Sequence, residues 1–146
     1  MSLSLVPAIH RATHRIGLYL ADLPDAGLSQ GEAHILAHLA ASGPTTIAAL
    51  HEGLAHKRST LTSILDRLVA RGLVTREVSA DDRRSFVIAP TAAGRQMADR
   101  VHRHLTALEA AVARALTSAE RRACLKVLAA VEARARASTR RARSRR

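Results

Sequence analysis

Leu61, Ile64, Leu65 and Leu68 recur at i, i+3, i+4 and i+7 near the middle of the chain. That spacing puts four aliphatic side chains on one stripe of a helix. The same winding turns Ser59, Thr62, Ser63, Asp66 and Arg67 outward and leaves Lys57 and Arg58 in the first turn. After Gly72, which suits a left-handed C-cap, the period changes. Leu73 to Val78 alternates in β-compatible residues, and Ser79-Ala80-Asp81-Asp82 has turn composition. Ser85 to Ile88 returns as a second strand before Pro90 stops it. The pattern predicts a helix followed by a hairpin, with Arg83 and Arg84 at or just past the hairpin tip.

The rest of the chain reads as helices. Residues 3–23 give a first one, with Leu5, Ile9, Ile16, Leu20 and Leu23 near one face, ended by Pro24 and Gly27. Ser29-Gln30-Gly31-Glu32 is a capping-box sequence that opens a second helix carrying Ile35, Leu36, Leu39 and Ala40. Gly43-Pro44 breaks it, and Thr45 or Thr46 caps a short third helix with Ile47, Leu50 and Leu54. A turn near Ala55-His56 leads into the helix described above. After the hairpin, a long helix over about 91–116 carries Met97, Val101, Leu105, Leu108, Val112 and Leu116. Thr117-Ser118-Ala119-Glu120 is a second capping box, opening a last helix with Cys124, Leu125, Leu128 and Val131.

A short helix, a turn and a longer outward-facing helix make a helix-turn-helix, and a hairpin behind it makes a wing. The expected architecture is mainly α: a winged helix-turn-helix with a small β-hairpin wing and long terminal helices. A helix that enters a major groove needs apolar anchors on one side, short hydroxyls and an Arg toward base edges, and cations beside phosphates. On that division Lys57, Arg58 and Thr60 anchor phosphates, and Ser59, Thr62, Ser63 and Arg67 face bases. A guanidinium on a thin ribbon is suited to the negative potential of a narrow minor groove. Arg83 takes that role, while Asp82 braces Arg84 at the tip. An ordinary amphipathic helix and a solvated surface turn are the bland readings of the same residues.

The chain here resembles the MarR family of bacterial transcription regulators. The resemblance is carried by RSTLTSILDRLVARGLV, by DDRRSFVIAPT, and by Thr91-Ala92-Ala93-Gly94 opening the next helix, which match the family's D-x-R and Leu-Thr-x-x-Gly patterns. Pro90 stands where the family usually has Leu. The resemblance implies terminal helices that intertwine into a dimer, and dimerisation also follows from the apolar excess of the first, fifth and sixth helices. It divides residues 1–133, one domain, into a DNA-binding lobe over 28–90 and dimerisation helices over 1–27 and 91–133; the run of like charge over 134–146 is expected to be a basic, disordered tail.

Charge sharpens the partner. The chain of 146 residues has a net charge of +11, but residues 1–54 carry two Arg against four acids, and residues 134–146 carry seven Arg and no acid. Residues 55–90 and 91–133 each carry seven cations against four acids, and the helix–hairpin segment and the tail are the two basic regions read as suiting a polyanion. Double-stranded DNA is the expected partner, read as a pseudo-palindrome by a homodimer. A sequence-independent basic coating protein would explain the tail but not the outward Ser/Thr set. With only Tyr19 and Phe86 aromatic, the core is aliphatic. No apolar run is long enough for a membrane span and no signal sequence opens the chain, so the expected location is cytoplasmic.

The signal is less legible. The family's effector pockets lie where dimer helices meet the reader and often take aromatic acids. His14, Tyr19, His38 and His102 are the candidate ligand-binding residues here, for a small aromatic-acid-like effector of a repressor. His10/His14 and His34/His38 at i, i+4, with Glu32, His102 and His104 nearby in the pattern, leave a zinc-responsive regulator as an alternative. No metal and no cofactor is expected. Cys124 lies on an apolar helix face where a thiol is inert, and the family's peroxide sensors carry their cysteine near the first helix. Ser59 and Ser63 near His56 lack an orienter and an oxyanion hole, and there is no phosphate loop or nucleophile elbow. The chain reads as a regulator and not an enzyme.

Overall fold

A computed structural model describes residues 4–54, 58–82 and 84–143, with side chains for all of these except Arg58 and residues 138–143. The elements are α1 (Leu5–Ala21), α2 (Gln30–Ser42), β1 (Thr45–Thr46), α3 (Ile47–Leu54), α4 (Arg58–Ala70), β2 (Val74–Val78), β3 (Phe86–Pro90), α5 (Ala92–Ala115) and α6 (Ser118–Arg143). The architecture is the mainly helical winged fold expected. Among the described residues, those within 10–106 form one compact body, and 4–9 with 107–143 form another.

The first body is built on the aliphatic stripe of α4. Leu61, Ile64, Leu65 and Leu68 are buried, together with Ile35, Leu36 and Leu39 of α2 and Leu50 of α3. Leu73, Val74 and Ile88 bring the sheet into the same core, and Ala98 and Val101 bring α5. The capping box forms as read: Ser29 Oγ accepts from the Glu32 amide at 3.3 Å and Glu32 Oε2 accepts from the Ser29 amide at 2.7 Å. Gly43 ends α2 with φ 71°, its amide donating to the Leu39 carbonyl. Gly72 ends α4 at φ 67° in the left-handed region, as the sequence required.

The sheet has three strands in the order β1-β3-β2, all antiparallel. The hairpin pairs Val74 with Pro90 through Val78 with Phe86. Pro90 therefore stays in the strand, at its last position, where a missing amide does least harm. The third strand is a correction to the two-stranded reading. Thr45 and Thr46 pair with Ile88 and Val87, while Thr46 Oγ1 also accepts from the Ala49 amide at 3.1 Å. One residue thus ends the sheet and caps α3.

In the second body, Thr117 and Glu120 form their capping box: the Thr117 amide donates to Glu120 Oε2 at 2.7 Å and the Glu120 amide to Thr117 Oγ1 at 3.2 Å. The bonds that Oε2 accepts from the Thr117 amide and hydroxyl, both at 2.7 Å, hold the Glu120 carboxyl below its ordinary pKa. α6 then runs to Arg143, through most of the tail expected to be disordered. Ala and Arg are strong helix formers, which favours continuation. Arg136 bonds Glu132 at 2.9 Å across one turn, and cations suit a helix C-terminus. Leu125, Val127 and Leu128 of α6 and Val112 of α5 are exposed in the single chain, as are Leu5 and Val6 of α1. Cys124 is exposed in the single chain too, beside Leu125 and Leu128.

Candidate nucleic-acid interface

The stripe that buries Leu61, Ile64, Leu65 and Leu68 fixes the roll of α4, so the opposite face is set by geometry. Ser59, Thr60, Thr62, Ser63, Asp66 and Arg67 are all exposed on it. Ser63 Oγ donates to the Ser59 carbonyl at 3.1 Å, so its hydrogen is committed while its oxygen can still accept from an external donor. Lys57 lies outside the described residues, as do His56 and the side chain of Arg58, although α4 begins at Arg58.

Behind α4 stands a charged group, Glu32 with Arg67 and Arg71, that sequence reasoning did not assemble. Glu32 of α2 is 4% exposed and turns Oε1 toward α4, 3.5 Å from Arg71 Nη1 and 3.9 Å from Arg67 Nε. Arg71 is further tied to the turn after α1, donating to the carbonyls of Ala26 at 2.7 Å and Gly27 at 3.0 Å. Burial pushes the Glu32 carboxyl up, but the Ser29 amide and hydroxyl and the charges of Arg71 and Arg67 outweigh it and hold the pKa below the ordinary value. A lowered folded-state pKa means that this contribution to stability is present above the ordinary glutamate range and fades as pH falls through the folded value. The capping-box motif pointed to Glu32; nothing in the sequence paired it with two arginines one helix away.

The wing is tied to α4 by Arg76 of β2. Its Nη1 lies 3.6 Å from Asp66 Oδ1, and its guanidinium carbon lies 4.8 Å over the Phe86 ring. At the tip the Ser79 amide donates to the Ser85 carbonyl and the Ser85 amide to the Asp82 carbonyl, both at 2.9 Å. Asp82 Oδ1 accepts from the amide of Arg84 at 2.9 Å, so the brace read from sequence falls on the backbone of Arg84. The side chain of Arg84 is exposed; Arg83 lies outside the described residues.

At the base of the wing the Thr-Ala-Ala-Gly motif acquires a physical meaning. Thr91 Oγ1 donates to the Gly72 carbonyl at 2.6 Å and accepts from the Gly94 amide at 3.0 Å, and the Thr91 amide donates to Leu73 O at 3.1 Å. A Cβ on Gly94 would lie 1.7 Å from that Leu73 oxygen. The end of α4, the start of β2 and the start of α5 are thus joined through one threonine and one obligatory glycine.

The candidate effector residues are less gathered. The Tyr19 hydroxyl donates to the His104 carbonyl at 3.0 Å, and His104 Nε2 lies 2.9 Å from Tyr19 O. The two rings stack with centroids 3.9 Å apart at 4°. Tyr19 therefore finds His104, a residue read only as a spare metal ligand, in a reciprocal clamp of α1 on α5. His14 and His102 are exposed and His38 is half-buried. Among the described residues no three of His, Cys, Asp or Glu gather as a metal set, and no helix is long and apolar enough to cross a membrane.

This arrangement defines a winged helix-turn-helix protein. The model of the MarR family matches residues 26–85, which span α2, β1, α3, α4 and β2 and stop just before β3. No curated protein sequence matches the chain. Among solved structures, a cysteine-to-serine variant of MarR from E. coli, complexed with operator DNA, superposes with a TM-score of 0.74 at 23% identity, over 88% of this chain and 94% of that one. BpsR of Bordetella bronchiseptica, a protein whose DNA binding is regulated by 6-hydroxynicotinic acid, gives 0.73 at 22% identity over 90% and 95%. A MarR transcriptional regulator of Methanosarcina mazei gives 0.74 at 18% identity over 88% and 94%. The segment 26–85 is thus a MarR-family match within a chain of MarR fold.

Proposed function

We propose that this protein is a transcription regulator that binds a pseudo-palindromic operator as a homodimer and releases it on binding a small effector. The observation that carries the reading is the fixed outward face of α4, with Ser59, Thr60, Thr62, Ser63 and Arg67 exposed opposite a buried aliphatic stripe. The hydroxyls and the guanidinium suit base edges and phosphates, and Lys57, Arg58, Arg83 and Arg84 add cations at the helix start and wing. The operator complex of the E. coli relative supports the choice of duplex DNA. No catalytic role is assigned.

Dimerisation is supported by the apolar side chains that the single chain leaves exposed on α1, α5 and α6, among them Leu5, Val112, Leu125 and Leu128. Two readers related by a two-fold axis would engage half-sites about one helical turn apart. An aromatic-acid-like effector is supported by the BpsR relative; His14, His38 and His102 remain the polar groups assigned to it, and Tyr19 acts through its clamp on His104. Such a ligand releases DNA only if it binds one arrangement of the two readers better than the other.

The test is selection from random duplexes by the purified protein, followed by anisotropy titration of the selected site. We expect a palindromic consensus, and a dimer in sedimentation at micromolar concentration. Log K should fall with log salt at about −0.9 per phosphate contacted. Leu128→Asp should yield a monomer that loses the full palindrome. No selected sequence, or equal binding of single strands and duplex, would overturn the function; a wild-type monomer would overturn the assembly.

A further inference from the structure

Among the described residues, Glu32 is the one charged side chain that the fold buries. Its oxygens have separate partners. Oε2 completes the capping box with the Ser29 amide, a task that a neutral glutamine can also perform at this helix position. Burying a full negative charge is unfavourable unless cations compensate it. The charge therefore answers to Oε1, which faces Arg71 at 3.5 Å and Arg67 at 3.9 Å.

The two arginines differ. Arg71 is anchored by the carbonyls of Ala26 and Gly27 and fixes the carboxylate in place. The side chain of Arg67 is 53% exposed and turns its Nε toward Glu32. At that separation the link is charge attraction and not a hydrogen bond, so it biases the rotamer without consuming a donor. A guanidinium approached at Nε keeps its end-on pair of Nη groups for a second planar partner. That end-on edge offers two parallel N–H donors that can pair with the N7 and O6 acceptors of guanine in a major groove.

We propose that Glu32 is a positioning residue for base recognition by Arg67: its buried charge, set by Arg71, turns the guanidinium so that its end-on edge points out of the α4 face. The inference rests on the DNA-binding reading above and adds specificity control by a residue that never meets DNA.

Glu32→Gln tests it, because it keeps a capping residue and removes the charge; Ser29→Ala is its counterpart, weakening the cap and keeping the charge. Full-length proteins are titrated with the selected duplex, with versions substituted at each base pair, and with a shuffled duplex, and their Tm is recorded. Arg67→Ala identifies the base pair that Arg67 reads. Glu32→Gln should lower the ratio of selected to shuffled affinity about tenfold, the scale of one bidentate base contact. The loss should fall at the base pair that Arg67→Ala identifies, and affinity for shuffled DNA should hold or rise because a negative charge is gone. Ser29→Ala should lower Tm and keep the wild-type preference. Wild-type preference in Glu32→Gln overturns the proposal, as does an equal loss in Ser29→Ala, which would make the effect one of helix capping, or an Arg67→Ala variant that loses no base preference. A wild type that selects no sequence fails the DNA-binding reading itself, and the proposal falls with it.

Discussion

Gly94 shows how a single missing methyl can hold a motif together. Its α-carbon lies against the Leu73 carbonyl, and a Cβ would come within 1.7 Å of a backbone oxygen that already accepts from the Thr91 amide. No rotamer change relieves a clash with backbone, unlike that at Gly31, where the nearest atom would be the flexible Cδ1 of Ile64. Gly94→Ala should therefore force α5 away from β2 and cost about 3 kcal/mol, the upper end of overpacking effects. Thermal denaturation should show a Tm lower by roughly 10 °C, whereas Ala93→Gly next to it should change Tm by only a few degrees. An unaltered Tm in Gly94→Ala would mean that the close approach is not maintained in solution. The glycine was visible in the sequence as part of a motif, but its reason was not. The oxygen it avoids belongs to a residue 21 positions earlier, and only the fold brings the two together.

At the scale of elements, the wing and α4 act as one unit because Arg76 spans them. An exposed ion pair with Asp66 at 3.6 Å contributes at most about 1 kcal/mol, and the contact over Phe86 adds a similar small amount at an exposed site. Arg76→Ala should thus lower stability little yet loosen the angle of the hairpin against the reader. Affinity for every duplex should fall several-fold while the preferred sequence stays the same, a result checked by repeating the selection with the variant; a changed consensus would place Arg76 among the base readers. Helices and hairpin were legible from periodicity: the α4 stripe, the two capping boxes and the glycine caps all fall where the pattern puts them. What was not legible lay below or beyond the reach of period. β1 is two residues long and hidden inside a helix cap, since Thr46 serves both. The helical continuation of α6 through residues 134–143 was obscured by like charge, which suggests disorder, while the Ala and Arg content favours helix. The Glu32–Arg71–Arg67 group and the Tyr19–His104 clamp join residues whose partnership depends on packing, and the histidine pairs at i, i+4 drew notice that spacing alone did not justify.

For the whole molecule, the helical state of the basic segment changes what it would contribute to the proposed DNA binding. Residues 134–146 contain seven Arg and no acid, so they attract phosphate without regard to sequence. A disordered tail would lose conformational freedom on meeting DNA, whereas a helix already formed to Arg143 has less to lose, and more of the electrostatic gain appears as affinity. Arg136 is partly committed to Glu132, but the charge of the segment as a whole is far from neutral. Phosphate contacts position a protein on the duplex and carry no base information. A chain ending at residue 133 should accordingly bind shuffled duplex at least tenfold more weakly at low salt. Its plot of log K against log salt should be shallower by about 0.9 for each phosphate that the tail no longer neutralises. The selected operator should be the same, because Ser59, Thr62, Ser63 and Arg67 lie on α4 and are untouched by the truncation. Circular dichroism of the truncated protein should show a loss of helix equal to about one-third of α6 or more, whereas a disordered tail predicts no helical loss at all. Selection of a different sequence by the truncated chain would show that the terminal arginines read bases, and an unchanged salt slope would show that they never reach the DNA.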